Sequence, residues 1–188
     1  CHCLEMMGKR GFENWFRLGD RDLAIHVART AMLKKGMPLS QATAELCGML
    51  GVKATLMPMS NDPVLTRVLS GKRKLDFQEY FVKRETMDYV SGVTFEGSER
   101  AQPGPGMLKA IKEAERVVVC PSNPILSVSP ILSISPIRDA LAKTSAYVVG
   151  VSPIVGGKAL KGPADRIMAS MGMEVSAFGV AKFYQDLI

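Results

Sequence analysis

The chain has 188 residues, 47% of them hydrophobic and 22% charged, with a formal net charge of +6. That length suits one domain with a real core, and that balance of apolar and charged residues excludes a disordered chain. No apolar run approaches the ~20 residues of a membrane span, no basic-then-apolar leader opens the sequence, and the densest basic run, Lys72-Arg73-Lys74, has no interleaved aromatics and reads as a solvated loop, not a nucleic-acid groove.

The sequence opens on Cys1 and not on methionine, which reads as a cut chain. Cys1-His2-Cys3 lacks the Cys-x-x-Cys spacing and the second ligand pair of a zinc site, so it reads as a fortuitous tripeptide. Trp15 and Phe16 read as core, with the wall of an aromatic ligand as the alternative. Residues Asp22 to Lys35 form the first clear helix. Leu23, Val27 and Ala31 recur four apart as one apolar face, Asp20 or Asp22 caps the start, and Gly36 ends it. A second helix runs from Ser40 to Leu50, with Ser40 as cap and Gly51 as stop. His26 lies within the first helix and is given no role. The first 51 residues are therefore a mainly helical subregion.

A short strand follows from Val52 to Met57, closed by Pro58. Asn61-Asp62-Pro63 is a turn. Leu75 to Lys83 and Val90 to Glu96 read as strands, and Ser98 to Gly106 as a loop. From Met107 the pattern becomes helix, strand, loop in repetition. Helices are expected over Met107–Ala114, Ile137–Lys143, Pro163–Met171 and Gly179–Leu187. Strands are expected over Val117–Cys120, Ala146–Val151 and Met173–Ser176. Such alternation of nearly all-apolar strands with helices predicts an α/β fold: a Rossmann-like, mostly parallel sheet with helices on both faces and a smaller helical region, in one domain. Cys47 and Cys120 read as buried, reduced thiols, which suits the cytoplasm.

In an open parallel sheet, ligands bind beyond the carboxyl ends of the strands. Two loops leave such ends. One is Pro121-Ser122-Asn123-Pro124. The other runs from Ser152-Pro153 through Gly156-Gly157 to Lys161-Gly162-Pro163. Ser and Asn offer side-chain hydrogen bonds, the glycines allow close backbone approach, and Lys161 adds a point charge. Either loop alone is ordinary turn chemistry; the two together, after neighbouring parallel strands, point to a phosphate site. Neither matches a Walker or GxGxxG fingerprint. Leu18-Gly19-Asp20-Arg21-Asp22 is a third feature, in which Arg21 can hold an anion and an aspartate can meet a metal or hydroxyl.

The ordered set Trp15-Phe16-Arg17-Leu18-Gly19-Asp20-Arg21-Asp22-Leu23-Ala24, Leu56-Met57-Pro58-Met59-Ser60, Phe77-Gln78-Glu79-Tyr80-Phe81-Val82, Pro121-Ser122-Asn123-Pro124-Ile125, Val151-Ser152-Pro153-Ile154 and Lys161-Gly162-Pro163-Ala164 resembles the 2-phospho-L-lactate transferase family. The resemblance implies transfer of a phospholactyl or phosphoenolpyruvyl group from a guanosine-diphosphate-activated donor to the ribityl hydroxyl of a deazaflavin alcohol. GMP is released, Mg2+ is required, and the enzyme is a homodimer. It places Asp20 at the chemistry and gives substrate contacts to Arg21 and Asp22 and to Ser122, Asn123, Pro124, Ser152, Pro153, Gly156, Gly157, Lys161 and Gly162. Metal ligands stay unassigned.

The sequence departs from the family pattern at several points. The family's glycine-rich strand-turn and its acidic Asn-Thr segment are not found before Cys1, Asn61 stands where an aspartate is usual, and Ser135-Pro136 where a glycine is common. The chain by itself is therefore expected to bind magnesium poorly and not to turn over. The alternative reading is a noncatalytic nucleotide-sugar-binding regulator of the same fold. A dehydrogenase would need a glycine fingerprint that is not present in these residues.

Overall fold

A computed structural model describes residues 2–188. Cys1 lies outside them, and with it the Cys1-His2-Cys3 tripeptide as a unit. The first helices are α1 (His2–Lys9), α2 (Asp20–Lys34) and α3 (Leu39–Met49). Asp20 and Asp22 in the first turn of α2 and Lys34 in its last turn complement the helix dipole. Both α2 and α3 end as their glycines require. Gly36 has φ 84°, Met37 N–H donates to Met32 O at 3.2 Å, and Gly36 N–H donates to Leu33 O at 3.0 Å. Gly51 repeats this pairing, with Val52 N–H on Cys47 O at 2.9 Å. Both are the 6→1 pairing of a Schellman stop.

Two details of this region differ from the sequence reading. Ser40 is not the cap of α3: the helix begins one residue earlier, and the Ser40 N–H donates to Asn61 Oδ1 at 2.8 Å. The apolar stripe of α2 buries no residue, and Val27 is 61% exposed. Spacing alone marks a face; it does not supply the surface that covers it.

The central part is antiparallel. Strands β1 (Leu65–Ser70), β2 (Arg73–Asp76) and β3 (Gly92–Glu96) form a sheet in the order β2-β1-β3. The basic run Lys72-Arg73-Lys74 sits at the β1–β2 hairpin, where Arg73 pairs with Asp88 at 2.6 Å and Lys74 with Glu96. The strand expected over Leu75–Lys83 stops at Asp76, because the chain then winds into a π-helical turn, π1 (Glu79–Lys83). Tyr80 is buried while Phe81 is 40% exposed. No strand forms over Val52–Met57, whose Val52 and Leu56 are exposed, nor over Met173–Ser176.

The last part holds α4 (Met107–Glu113), β4 (Arg116–Val119), a second π-helical turn π2 (Pro124–Val128), α5 (Ser129–Leu132), α6 (Ser135–Ala142), β5 (Tyr147–Gly150), the short hairpin β6 (Ile154–Val155) and β7 (Lys158–Ala159), α7 (Ala164–Ser170) and α8 (Ala177–Phe183). β4 and β5 pair in parallel, with Val119 opposite Gly150. The fold is therefore α/β with a parallel sheet and helices, the parallel part being two strands. The main core joins Val68, Leu75, Tyr80 and Val90 to Ile125, Leu126, Ile154, Ile167, Met168, Val180 and Tyr184. It fuses the antiparallel sheet, both π-helical turns, α7 and α8 into one body.

Burial on both faces, expected from the all-apolar strands, is met on one side only. Val118, Tyr147 and Val149 are 58%, 80% and 53% exposed, while their neighbours Val117, Val119 and Val148 are half-buried. Cys120, past the end of β4, is exposed and not buried; Cys47 is intermediate. Among the described residues, no single helix is long and apolar enough to cross a membrane.

Candidate functional site

β4 and β5 end side by side, and Val151 N–H donates to Val119 O at 2.9 Å just beyond the last paired residues. The chain leaving each strand turns at once, so two corners stand next to one another. Pro121, Ser122 and Asn123 from the first corner and Pro153, Lys161, Gly162 and Pro163 from the second line one cleft of about 280 Å3. Leu126, Ser127 and Leu160 complete its floor and rim, and Phe77 and Phe81 form its remaining wall. These two rings stack at 5.4 Å between centroids, with 26° between planes.

The first corner is built around Asn123. Its side-chain Oδ1 accepts from Ile125 N–H and Leu126 N–H, both at 3.0 Å, and so caps π2. This fixes the amide orientation, since the nitrogen could not accept from those donors. Nδ2 is then left buried, the one buried side-chain N or O atom without a hydrogen-bond partner among the described residues. Ser122 is exposed, and its N–H donates to Cys120 O at 2.7 Å. Pro124 is buried at the start of π2 and does not line the cleft. A ring there fixes φ and removes an N–H that an N1 position does not need.

The second corner divides. Ser152 spends its hydroxyl within its own turn, accepting from Ile154 N–H at 3.0 Å and donating to Ile154 O at 3.1 Å. Gly156 and Gly157 form the two-residue connection of the β6–β7 hairpin, with φ 58° and 76°. Positive φ at both central residues is what a type I′ turn requires. Among the residues lining the cleft, Ser152, Gly156 and Gly157 do not appear, whereas Pro153, Lys161 and Gly162 do. The local chemistry of those three is turn formation.

The electrostatics of the cleft are one-sided. Lys161 lines it and is exposed, no carboxylate does so, and Lys161 makes no ion pair among the described residues. Neutral donors and one uncompensated ammonium on a partly apolar surface suit an anion that also carries a ring.

Asp20, Arg21 and Asp22 lie exposed on the first turn of α2 and are not part of the cleft lining. The chain just before them meets π1, the turn that also carries Phe81. Lys83, at the end of π1, lies 5.5 Å from the centre of the Trp15 ring and 3.5 Å from Glu13 Oε1. Glu13 also accepts from Trp15 Nε1 at 3.1 Å. The Trp15 hydrogen bond first, and Lys83 after it, hold the Glu13 carboxyl below its ordinary pKa. Trp15 and Phe16, read as core, are half-buried and meet edge to face at 5.7 Å. Among the described residues no three His, Cys, Asp or Glu side chains come together as a metal cage.

Phe77, Phe81, Leu126, Ser127 and Leu160 line the cleft without having been singled out as site residues. The signal for the two phenylalanines is a pair of aromatic rings four residues apart; Phe77 packs against the edge of the core and Phe81 is 40% exposed, so the pair reaches from core to surface.

The chain matches the family model described as 2-phospho-L-lactate transferase CofD over residues 4–187. It is 38% identical over 184 residues to a 2-phospho-L-lactate transferase of Methanosarcina mazei, covering 98% of this chain and 60% of that protein. It is 44% identical over 174 residues to a phosphoenolpyruvate transferase of Streptomyces coelicolor, covering 90% and 54%. The chain thus spans between half and two thirds of the length of these curated relatives. A solved UPF0052 family protein of Bacillus halodurans shares the fold, with a TM-score of 0.55 at 18% identity over 66% of this chain and 39% of that one. The chain belongs to the 2-phospho-L-lactate transferase CofD family.

Proposed function

We propose that the protein carrying this chain transfers a phospholactyl or phosphoenolpyruvyl group from a guanosine-diphosphate-linked donor to the terminal ribityl hydroxyl of a deazaflavin alcohol. The supporting observation is the convergence of two rigid strand-end corners on one carboxylate-free cleft with an unpaired Lys161 and a stacked ring pair. In this reading the cleft holds the donor. Ser122, Asn123 and Lys161 meet its phosphates, and Phe77 and Phe81 lie along a planar part of it.

The reaction is displacement at phosphorus. The hydroxyl oxygen bonds to the phosphorus that carries the three-carbon acid, the bond to GMP breaks, and the hydroxyl proton is released. Such a transfer needs positioning and charge neutralisation more than a covalent nucleophile. Neutral donors fixed before binding serve that end, since they need no reorganisation as charge develops. Arg21 orients the acceptor and Asp20 is the group next to the hydroxyl. Magnesium belongs to this reading through the substrate's own phosphate oxygens, because Mg2+ is held by one or two carboxylates plus substrate phosphates. Among the described residues, no three His, Cys, Asp or Glu side chains gather to hold it. Homodimer assembly and a cytoplasmic location complete the same reading.

Calorimetric titration of the purified protein with GDP, GMP and a uridine-diphosphate sugar tests it. Selective binding of the guanosine nucleotide is expected. Preference for the uridine sugar would favour the regulator reading instead. Arg21→Ala is expected to raise the KM for the acceptor or abolish transfer, and unchanged steady-state kinetics would remove Arg21 from the site.

A further inference from the structure

The turn after π1 holds two consecutive non-glycine residues in the left-handed region, Glu85 at φ 51° and Thr86 at φ 58°. A β-branched residue there is an outlier that surrounding structure must enforce. Thr86 N–H donates to Tyr80 O and Met87 N–H to Arg84 O, both at 3.0 Å. Arg84 pairs with Glu79 at 3.1 Å and with Asp88 at 3.3 Å. Asp88 also takes Arg73, across from the β1–β2 hairpin. Thr86 is buried, and its hydroxyl accepts from Arg166 Nη2 at 2.5 Å.

Arg166 is on the first turn of α7. A second tether stands at the other end of that helix, where Tyr89 Oη donates to Ser170 O at 3.1 Å. Between the two tethers the seam is hollow: Tyr80, Thr86, Tyr89, Arg166, Ile167 and Ser170 line a cavity of about 210 Å3. Tyr80 and Ile167 pack together in the main core on one side of this hollow; at the exit of the turn, from Thr86 to Tyr89, the polar tethers span the gap to α7.

Each partner of this seam leads directly to the nucleotide cleft. π1 carries Phe81 on one wall, and Lys161, Gly162 and Pro163 lead into α7 on the other. We propose that Arg166 is a positioning residue: its hydrogen bond to Thr86 holds the strained turn against α7 and thereby sets the distance between the aromatic wall and the Lys161–Pro163 corner. The proposal rests on the reading of that cleft as the donor site. It concerns a guanidinium that touches no substrate.

The test uses the intact protein with two readouts, GDP affinity by calorimetry and amide hydrogen exchange by mass spectrometry. Arg166→Met keeps the stem and loses the donor. Thr86→Val keeps the shape and loses the acceptor. Each is expected to weaken GDP binding about tenfold and to speed exchange over residues 77–88 at least tenfold, while residues 65–70 stay protected. Arg166 also donates to Met87 Sδ at 3.9 Å, so the double variant is expected to be no worse than Arg166→Met alone, since the Thr86 bond is common to both substitutions. Thr86→Ser, which keeps the hydroxyl, is expected to restore both readouts. Unchanged exchange over 77–88 in Arg166→Met, or additive losses in the double variant, would overturn the proposal. Should Arg166→Met lose protection throughout the chain, Arg166→Lys carries the same test with the charge retained. If the unaltered protein binds no GDP, the donor-site reading fails, and exchange over 77–88 still decides the tether.

Discussion

Replacing Asn123 separates what holds the first corner from what the corner offers a ligand. In Asn123→Ala two backbone donors, Ile125 N–H and Leu126 N–H, lose the oxygen that both approach at 3.0 Å. Ile125 and Leu126 are 3% and 5% exposed, so water replaces that oxygen poorly. Loss of a cap of this kind costs about 1–2 kcal/mol, which for a chain of this size lowers Tm by roughly 2–8 °C. Asn123→Asp keeps an acceptor for both amides, makes those bonds charge-assisted and deletes only Nδ2, the donor that has no partner. The aspartate variant should therefore keep most of its stability while losing GDP affinity by tenfold or more, because a carboxylate faces an anion. Thermal denaturation and calorimetric titration of both variants provide the test. Equal stability of Asn123→Ala and the unaltered protein would refute the capping argument, and unchanged GDP affinity in Asn123→Asp would refute the role of Asn123 in the cleft.

The other expectations concern charge, pH and packing. Lys161→Gln should weaken GDP binding about tenfold with Tm unchanged, since the ammonium is exposed and makes no ion pair among the described residues; an equal loss in titrations with uncharged guanosine would show that the lysine does not act on phosphate. Burial pushes the Tyr184 phenol up to about 12. A raised value means that its stabilising effect is complete below the ordinary tyrosine range and is lost as pH climbs through about 10 toward 12. Absorbance titration should show one tyrosine ionising together with unfolding, and Tyr184→Phe should flatten the alkaline limb of stability. At the acid end, hydrogen bonds from Lys74 and then Arg67 hold the Glu96 carboxyl low, so that contribution is present above the ordinary glutamate range and fades as pH falls below it; Glu96→Gln should lessen the acid sensitivity of Tm. Gly179→Ala should lower Tm by several degrees or prevent folding, because a Cβ on Gly179 would collide with the Glu174 carbonyl oxygen, and a variant of native stability would mean that the α8 entry shifts freely.

Much of the scaffold was legible because short-range chemistry decides it. The stops of α2 and α3 follow from glycines at the two positions where a left-handed residue closes the helix. The parallel pairing of β4 with β5 follows from valine-rich runs separated by helical segments. Legibility fails where the outcome depends on partners distant in sequence. Leu75 to Lys83 has the composition of a strand, yet only Arg73–Asp76 finds an edge to pair with, and the rest folds into π1. The apolar stripe of α2 has the period of a buried face, but Val27 meets no cover. In the candidate site, the strand-end rule selected Ser122, Asn123, Pro153, Lys161 and Gly162, which do share one cleft. It also swept in Gly156 and Gly157, because a glycine pair that makes a hairpin reads like one that cradles a phosphate. Phe77 and Phe81 were passed over for a different reason: they stand in a segment read as a strand, far in sequence from both loops that leave the strand ends.

The composition of the cleft argues for a division of labour within the proposed reaction. Its polar side chains are two serine hydroxyls, an asparagine amide and one lysine, with no carboxylate or imidazole among them. Such a set binds and orients a diphosphate but removes no proton from an attacking hydroxyl. The acidic groups stand elsewhere, at Asp20 and Asp22 on α2, and the link between the two regions is the chain from Glu13 to Trp15 lying against Lys83 of π1. The same π1 presents Phe81 to the cleft. In the proposed reading, the donor cleft and the acceptor region at Asp20 and Arg21 are therefore connected by way of π1. A displacement that requires two substrates in line is sensitive to relative placement on the scale of an ångström, so in the proposed reaction the buried Tyr80 and the Arg84 ion pairs that anchor π1 would bear on the chemistry as well as on the fold.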